Sequence, residues 1–253
     1  MIVIKTPQEI RQIVLACQIV AAVMRRLKEC LRPGILTEEI DQEAEKLLAK
    51  SGAVSAFKGY RGYPGNICIS INEEIVHGIA GKRQIRAGDL VTLDVGANRN
   101  GYFGDASWTF PVGRVSPVAE RLLAVGKEAL NRGIAQAQQG RHLSDVSHAI
   151  QTYVESSGFS VVRNFVGHGV GLKIHEEPEI PNFGAPGKGP ILKEGMVLAI
   201  EPMVNEGSWE AEILEDKWTA VTRDGKLSVH FEHTICVTKD QAQVLTDWQK
   251  DRD

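Results

Sequence analysis

Residues 90–112 of this chain read LVTLDVGANRNGYFGDASWTFPV, and that stretch decides the fold. Two apolar runs, Leu90 to Ala97 and Tyr102 to Val112, flank Asn98-Arg99-Asn100-Gly101. A polar turn ending in Asn-Gly between two such runs predicts a β-hairpin. One carboxylate interrupts each run, Asp94 in Leu93-Asp94-Val95 and Asp105 in Gly104-Asp105-Ala106. In any antiparallel register whose opposing residue numbers total an odd value, both side chains leave the same face. A total near 199 sets them directly opposite one another. Two carboxylates that face each other repel unless a cation or a shared proton joins them. A lone strand aspartate is usually an edge or turn residue, so it is the pair that points to metal or acid chemistry.

Outward from the hairpin, the chain carries helices in a repeated order. A helix is predicted from about Thr6 to Leu31: Thr6 and Glu9 form a capping box and Pro7 sits where a first turn tolerates proline. Its apolar positions Ile10, Ile13, Val14, Cys17, Val20, Ala21 and Met24 recur at helical spacing. Arg32-Pro33-Gly34 stops it, and a second helix runs from about Thr37 to Ser51-Gly52. Ser116-Pro117 opens a third, ending at Gln139-Gly140, and a fourth runs from about Ser144 to Ser157-Gly158. Gly34 to Gly52 and Gly140 to Gly158 have the same spacing, with Ile40 and Val146 at equivalent places. Strand-like sequence follows each helix pair, Asn66 to Ile71 and Phe159 to Val166. Met196 to Val204 and Leu227 to Thr238 read as two more strands, with Pro202 bending the first just after Glu201. The expected fold is α+β: two related αα-then-β halves, about 6–112 and 116–238, sharing a central antiparallel sheet within one domain of 253 residues.

Composition is that of an ordinary soluble domain, 43% hydrophobic and 24% charged, and the net charge of −3 gives no basic footprint for stable nucleic-acid binding. Cys17, Cys30, Cys68 and Cys236 form no Cys-x-x-Cys pair, which suits a reducing cytoplasm better than a disulfide scaffold or a structural zinc site. No apolar run approaches the roughly 20 residues that span a bilayer, and nothing resembles a signal peptide. A cytoplasmic location is expected.

Two further carboxylates lie in strands of the second half, Glu201 in Ala-Ile-Glu-Pro-Met and Glu232 in His-Phe-Glu-His-Thr. Buried charges are costly unless paired or bound to metal. His168 lies in Gly167-His168-Gly169-Val170-Gly171, where glycines allow close backbone approach, and neutral imidazole is a common metal ligand. Asp94, Asp105, His168, Glu201 and Glu232 together are too carboxylate-rich for structural zinc. They suit two divalent ions of the cobalt, manganese, iron, zinc or nickel group. Two such ions about 4 Å apart would hold a bridging hydroxide and stabilise an oxyanion.

At these residues the sequence resembles the type I methionine aminopeptidases, whose pita-bread fold is shared with prolidases and creatinase. The likeness runs from the first helix nearly to the C-terminus. It includes Ile69-Ser70-Ile71-Asn72-Glu73 leading to His77-Gly78, then Leu93-Asp94-Val95 and Gly104-Asp105. It continues through the Gly-His-Gly-Val-Gly run, His175-Glu176-Glu177-Pro178, Ile200-Glu201-Pro202-Met203 and Phe231-Glu232-His233-Thr234. The resemblance implies removal of the initiator methionine from nascent proteins and peptides whose second residue is small. It assigns Asp94 to one metal and His168 to the other. Asp105 and Glu232 would bridge them, and Glu201 would bind metal and relay protons. His175 would polarise the scissile carbonyl and His77 would contact the substrate backbone. The methionine pocket would be formed by Tyr60, Tyr63, Cys68 and Trp218, with Met203 beside it.

The chain departs from the family pattern at Ile174, Phe103 and Arg61, where Phe, His and His are common, and the departures bear on pocket shape and rate. Prolidase and aminopeptidase P use a similar metal set, but usually behind an extra N-terminal domain, whereas this chain begins directly at the catalytic one. Metal-free binding relatives lose ligands that persist here. The expected partners are N-terminal Met peptides and nascent chains, with the ribosome a candidate, no membrane, and a monomeric state.

Overall fold

The computed structural model describes residues 1–249. Helix α1 (Pro7–Cys30) starts where its sequence predicts: the Thr6 hydroxyl accepts from the Glu9 amide, and the Glu9 carboxylate accepts from the Thr6 amide. Two donors that a helix start would orphan are thereby satisfied. Ile13, Cys17, Val20 and Met24, one stripe of α1, are fully buried. α2 (Thr37–Lys50), α3 (Pro117–Gln136) and α4 (Leu143–Ser156) follow.

α3 stops three residues before the predicted Gln139 because the chain is drawn into pairing elsewhere. The Gly140 amide donates to the Leu192 carbonyl (2.9 Å) and the Leu192 amide to the Arg141 carbonyl (2.8 Å). The first half repeats this arrangement: Gly34 donates to Ile85 (2.8 Å) and Ile85 to Ile35 (2.9 Å). Gly34 and Gly140 both hold left-handed φ, +96° and +88°, which glycine adopts without steric cost. Just beyond them Leu36 bridges Gln84 and His142 bridges Ile191. The carboxylates of Glu39 and Asp145 then accept from the Leu36 and His142 amides.

The strands of the first half are β1 (Val54–Ser55), β2 (Cys68–Ile71), β3 (Glu74–Val76), β4 (Leu90–Arg99) and β5 (Tyr102–Pro111). Those of the second begin with β6 (Ser160–Val161), β7 (Gly167–Gly169), β8 (Glu176–Ile180), β9 (Val197–Ile200) and β10 (Met203–Asn205). They continue with β11 (Ala211–Ile213), β12 (Ala220–Thr222), β13 (Ser228–His230), β14 (His233–Cys236) and β15 (Gln243–Val244). Every pairing among them is antiparallel. β4 pairs with β5 on one edge and with β1 and β2 on the other, while β8, β7, β9, β14 and β15 lie in that order. The ladder is interrupted where the two groups meet. There the Glu232 amide donates to the Ser107 carbonyl (2.8 Å) and Thr234 bonds the backbone of Asp105.

The β4–β5 hairpin forms as predicted, in a register shifted by two. Arg99 faces Tyr102, so the loop is only Asn100-Gly101, both at positive φ (54° and 82°), the geometry of a type I′ turn. Opposing numbers therefore total 201: Asp94 faces Ser107 and Asp105 faces Gly96. The two carboxylates share a face on a diagonal. Several predicted strands are shorter than expected, three of them markedly. Met196 to Val204 breaks at Glu201-Pro202 into β9 and β10, which belong to different sheets, as the missing N–H of proline dictates. Leu227 to Thr238 breaks opposite it, at Phe231-Glu232, where the Phe231 amide reaches the Pro202 carbonyl (3.3 Å). Only Ser160–Val161 of the Phe159 to Val166 run is strand, and Asn164, Phe165 and Val166 instead line a cavity.

Candidate active site

The breaks in the second half aim at the hairpin of the first. Asp94, on β4, has Cys68 across one ladder and Ser107 across the other. Asp105 is fixed through its backbone: its amide donates to Thr234 Oγ1 (3.1 Å), which donates to the Asp105 carbonyl (2.7 Å). Glu201 leaves β9 where Asn182 Nδ2 donates to its carbonyl (3.0 Å). Glu232 leaves the gap between β13 and β14, while Phe231 turns the other way, edge-on to Trp108 at 4.9 Å. His168 is central in β7, and its flanking glycines are required by space. A Cβ on Gly167 would lie 2.5 Å from the Ala199 carbonyl oxygen, and one on Gly169 would lie 2.3 Å from that of Glu177.

All five residues predicted as metal ligands therefore line one cavity of about 490 Å³ and are buried within it. His168 Nε2 lies 3.3 Å from Glu201 Oε1 and 3.9 Å from Asp105 Oδ2. Its Nδ1 faces the Gly169 carbonyl at 3.0 Å, which fixes the proton there and leaves a lone pair on Nε2. Donor atoms of Asp105, His168 and Glu232 all fall within 4.8 Å of one another. Asp94 Oδ1, Asp105 Oδ1 and Glu232 Oε1 are buried without a hydrogen-bond partner. Clustered carboxylate oxygens with no donor, beside an unprotonated imidazole nitrogen, fit a divalent cation and little else.

Burial dominates the proton affinities. It raises Asp94 to about 7, a rise that Glu201 adds to and His230 opposes. Burial likewise raises Asp105, Glu201 and Glu232 well above the usual carboxylate range, with mutual repulsion adding to Asp105 and Glu232. The imidazoles move the opposite way, since burial disfavours their cationic form: His77 and His168 fall to about 4. His175 falls to about 3, with His168, His77 and Arg61 adding repulsion. Neutral imidazoles suit ligation and hydrogen bonding; the protons held by the carboxyl groups would have to be displaced by metal.

The expected substrate-contacting residues line the same cavity. His175 packs edge-on to His168, with ring centroids 4.4 Å apart, and its Nδ1 is 2.9 Å from the Tyr60 hydroxyl. His77 sits at φ +61°, rare for a non-glycine residue, with its ring edge-on to Phe165 and Trp218. Tyr63 also braces the wall, donating to the Gly78 carbonyl at 2.8 Å. Cys68 and Trp218 complete the predicted pocket. Met203 does not line it: fully buried, it packs with Ile75, Val76, Val162 and Ala220. Of the three departures, only Arg61 reaches the cavity; Ile174 and Phe103 pack into the cluster around Ile13 and Cys17. The sequence reading missed the wall residues Asn164 and Phe165, and it missed His230, which faces the cavity two residues before Glu232. A His-x-Glu spacing in a strand, which puts both side chains on one face, was the available signal.

Residues 11–239 match metallopeptidase family M24. A methionine aminopeptidase of Bacillus subtilis is 53% identical, over 97% of this chain and 99% of its own. The chain belongs to this family. Its fold is accordingly the pita-bread fold, and the family makes it a metal-dependent exopeptidase of the hydrolase class. The crystal structure of a methionine aminopeptidase from Thermotoga maritima superposes with a TM-score of 0.96 at 46% identity, covering 97% of this chain and 99% of that one. A prolidase from Pyrococcus furiosus shares the fold more distantly: TM-score 0.80, 27% identity, 98% of this chain and 66% of that one.

Proposed function

We propose that this chain removes N-terminal methionine from nascent proteins and peptides with a small second residue, using two divalent ions. Asp94, Asp105, His168, Glu201 and Glu232 would hold the ions, drawn from cobalt, manganese, iron, zinc or nickel. The observation that carries the reading is the convergence of these five side chains, from both halves of the chain, on one aromatic-walled cavity. Bound there, the ions would supply Lewis acidity, a nucleophile at neutral pH and charge to offset a developing oxyanion.

The chain's own residues do the rest. With the Tyr60 hydroxyl donating to Nδ1, His175 keeps its proton on Nε2, from which it can bond a scissile carbonyl oxygen as negative charge builds. Glu201 takes up a proton and passes it to the leaving amine. His77 contacts the substrate backbone. Tyr60, Tyr63, Cys68 and Trp218 surround an unbranched thioether, which adapts to such a wall. The second residue would lie beside His77 and His175, which both line the cavity. The whole chain acts as one catalytic domain built from two related halves, a cytoplasmic monomer meeting its substrates as they leave the ribosome. Among the described residues no helix is long and apolar enough to cross a membrane.

The test is methionine release from Met-Ala-Ser and Met-Leu-Ser, with an N-acetylated control, after chelation and after adding back manganese, iron or cobalt. Metal-restored cleavage of the Met-Ala peptide alone is expected. A folded, metal-loaded sample that releases no methionine from either peptide overturns the reading.

A further inference from the structure

His230 closes β13, pairing with Met203 of β10. Its main chain is held at both ends by one hydroxyl: the His230 amide donates to Thr109 Oγ1 (2.9 Å), and Thr109 Oγ1 lies 3.0 Å from the His230 carbonyl. Thr109 is in turn 2.7 Å from the hydroxyl of Thr92, inside the hairpin. The ring is thus carried on rigid backbone. It is 2% exposed, lines the catalytic cavity, and neither of its nitrogens has a hydrogen-bond partner. A buried imidazole that bonds to nothing is costly, and buried His233, three residues on, does have a partner in Thr246.

What His230 faces is Glu201. Its Nε2 lies 3.5 Å from Glu201 Oε2, while Glu201 Oε1 lies 3.3 Å from His168 Nε2, so one carboxylate is bracketed by two imidazoles. Both separations are long for a hydrogen bond. They are close to the roughly 3.3 Å between donors that share a tetrahedral ion at about 2.0–2.1 Å. We propose that His230 is a further metal ligand, binding through Nε2 an ion it shares with Glu201. This inference rests on the metal-centre reading above. A second nitrogen in a carboxylate-rich set favours borderline transition ions such as cobalt, nickel and zinc over manganese.

The test is direct metal binding, by titration calorimetry with Co²⁺ and separately with Mn²⁺ on chelator-stripped wild type, His230→Gln and His230→Ala. The visible absorption of the Co²⁺ forms is recorded alongside, and circular dichroism confirms folding. Glutamine can still hydrogen-bond Glu201, so it separates ligation from positioning. Both variants should bind Co²⁺ about 10- to 100-fold more weakly, bind Mn²⁺ within about 3-fold of wild type, and show a shifted Co²⁺ band. If His230→Ala fails to fold, His230→Gln decides alone. An unchanged Co²⁺ spectrum with unchanged affinities, or an equal loss for both ions, overturns the role of His230 and leaves the metal centre standing. A wild type that binds neither ion overturns the metal-centre reading itself.

Discussion

The hairpin of the first half and the strands of the second half bring side chains to one centre by opposite means. β4 and β5 are ten residues each and paired throughout, and they present Asp94 and Asp105 from inside an unbroken ladder. In the second half Glu201 and Glu232 emerge where the ladder fails, between β9 and β10 and between β13 and β14. A regular ladder fixes direction but can supply only alternate residues on one face. A broken one can redirect a single side chain, at the cost of backbone groups that need other partners. Those partners are side chains and strays from the other half: Asn182 for the Glu201 carbonyl, and the Ser107 carbonyl for the Glu232 amide. The rigid half therefore serves as the frame on which the irregular half is registered.

The largest effect expected from this comparison is its symmetry. Asp105→Asn in the frame and Glu232→Gln in the break should each lower kcat/KM by about 1000-fold or more, the loss of several kcal/mol of metal-dependent stabilisation. Methionine release by the purified variants measures this, and a tenfold difference between the two would assign the chemistry to one half. Smaller, and read in stability, is a pH effect. Asp94 is raised from 3.8 to about 7, so its contribution is full below 3.8 and lost as pH rises through 7. The site imidazoles are lowered from 6.5 to about 4, so theirs is full above 6.5 and lost as pH falls through 4. Between pH 6.5 and 8 only the carboxylate loss operates. Chelated protein should lose about 1 kcal/mol there in urea melts from Asp94, with the other raised carboxylates adding in the same direction, while metal-loaded protein should not, since a cation replaces the protons. A flat chelated profile over that range would contradict the buried-carboxylate account.

Smallest is the staple between the halves. Thr234→Val removes the hydroxyl that bonds both the amide and carbonyl of Asp105, and should cost about 1–3 kcal/mol in the same melts. A change below a few tenths of a kcal/mol would mean that the ladder alone positions Asp105.

What could be read from sequence follows the same division. The hairpin was legible because alternation and an Asn-Gly turn are local signals, and only its register escaped, since that depends on whether two or four residues form the loop. The break after Glu201 was legible because proline marks it. The break at Phe231-Glu232 was not: Leu227 to Thr238 is apolar on both sides of it, and what stops the strand is Pro202 in a distant segment. His230 was legible from its His-x-Glu spacing and was passed over, whereas Asn164 and Phe165 were not, since Phe165 takes its place in the wall by packing on His77 of the other half. Met203 stands beside the site and not in its wall, because Pro202 carries the chain into another sheet, where the side chain packs with Val76 behind the cavity.

Gly167 and Gly169 leave no clearance on either side of β7, because neighbouring carbonyl oxygens occupy the space a methyl group would need. For anyone wishing to retool this enzyme, that strand is closed ground: a saturation library across 167–169 would return the starting sequence. Variation has to enter at the mouth, where Arg61 is exposed on a short turn with its guanidinium over the Tyr60 ring, 5.4 Å from its centre.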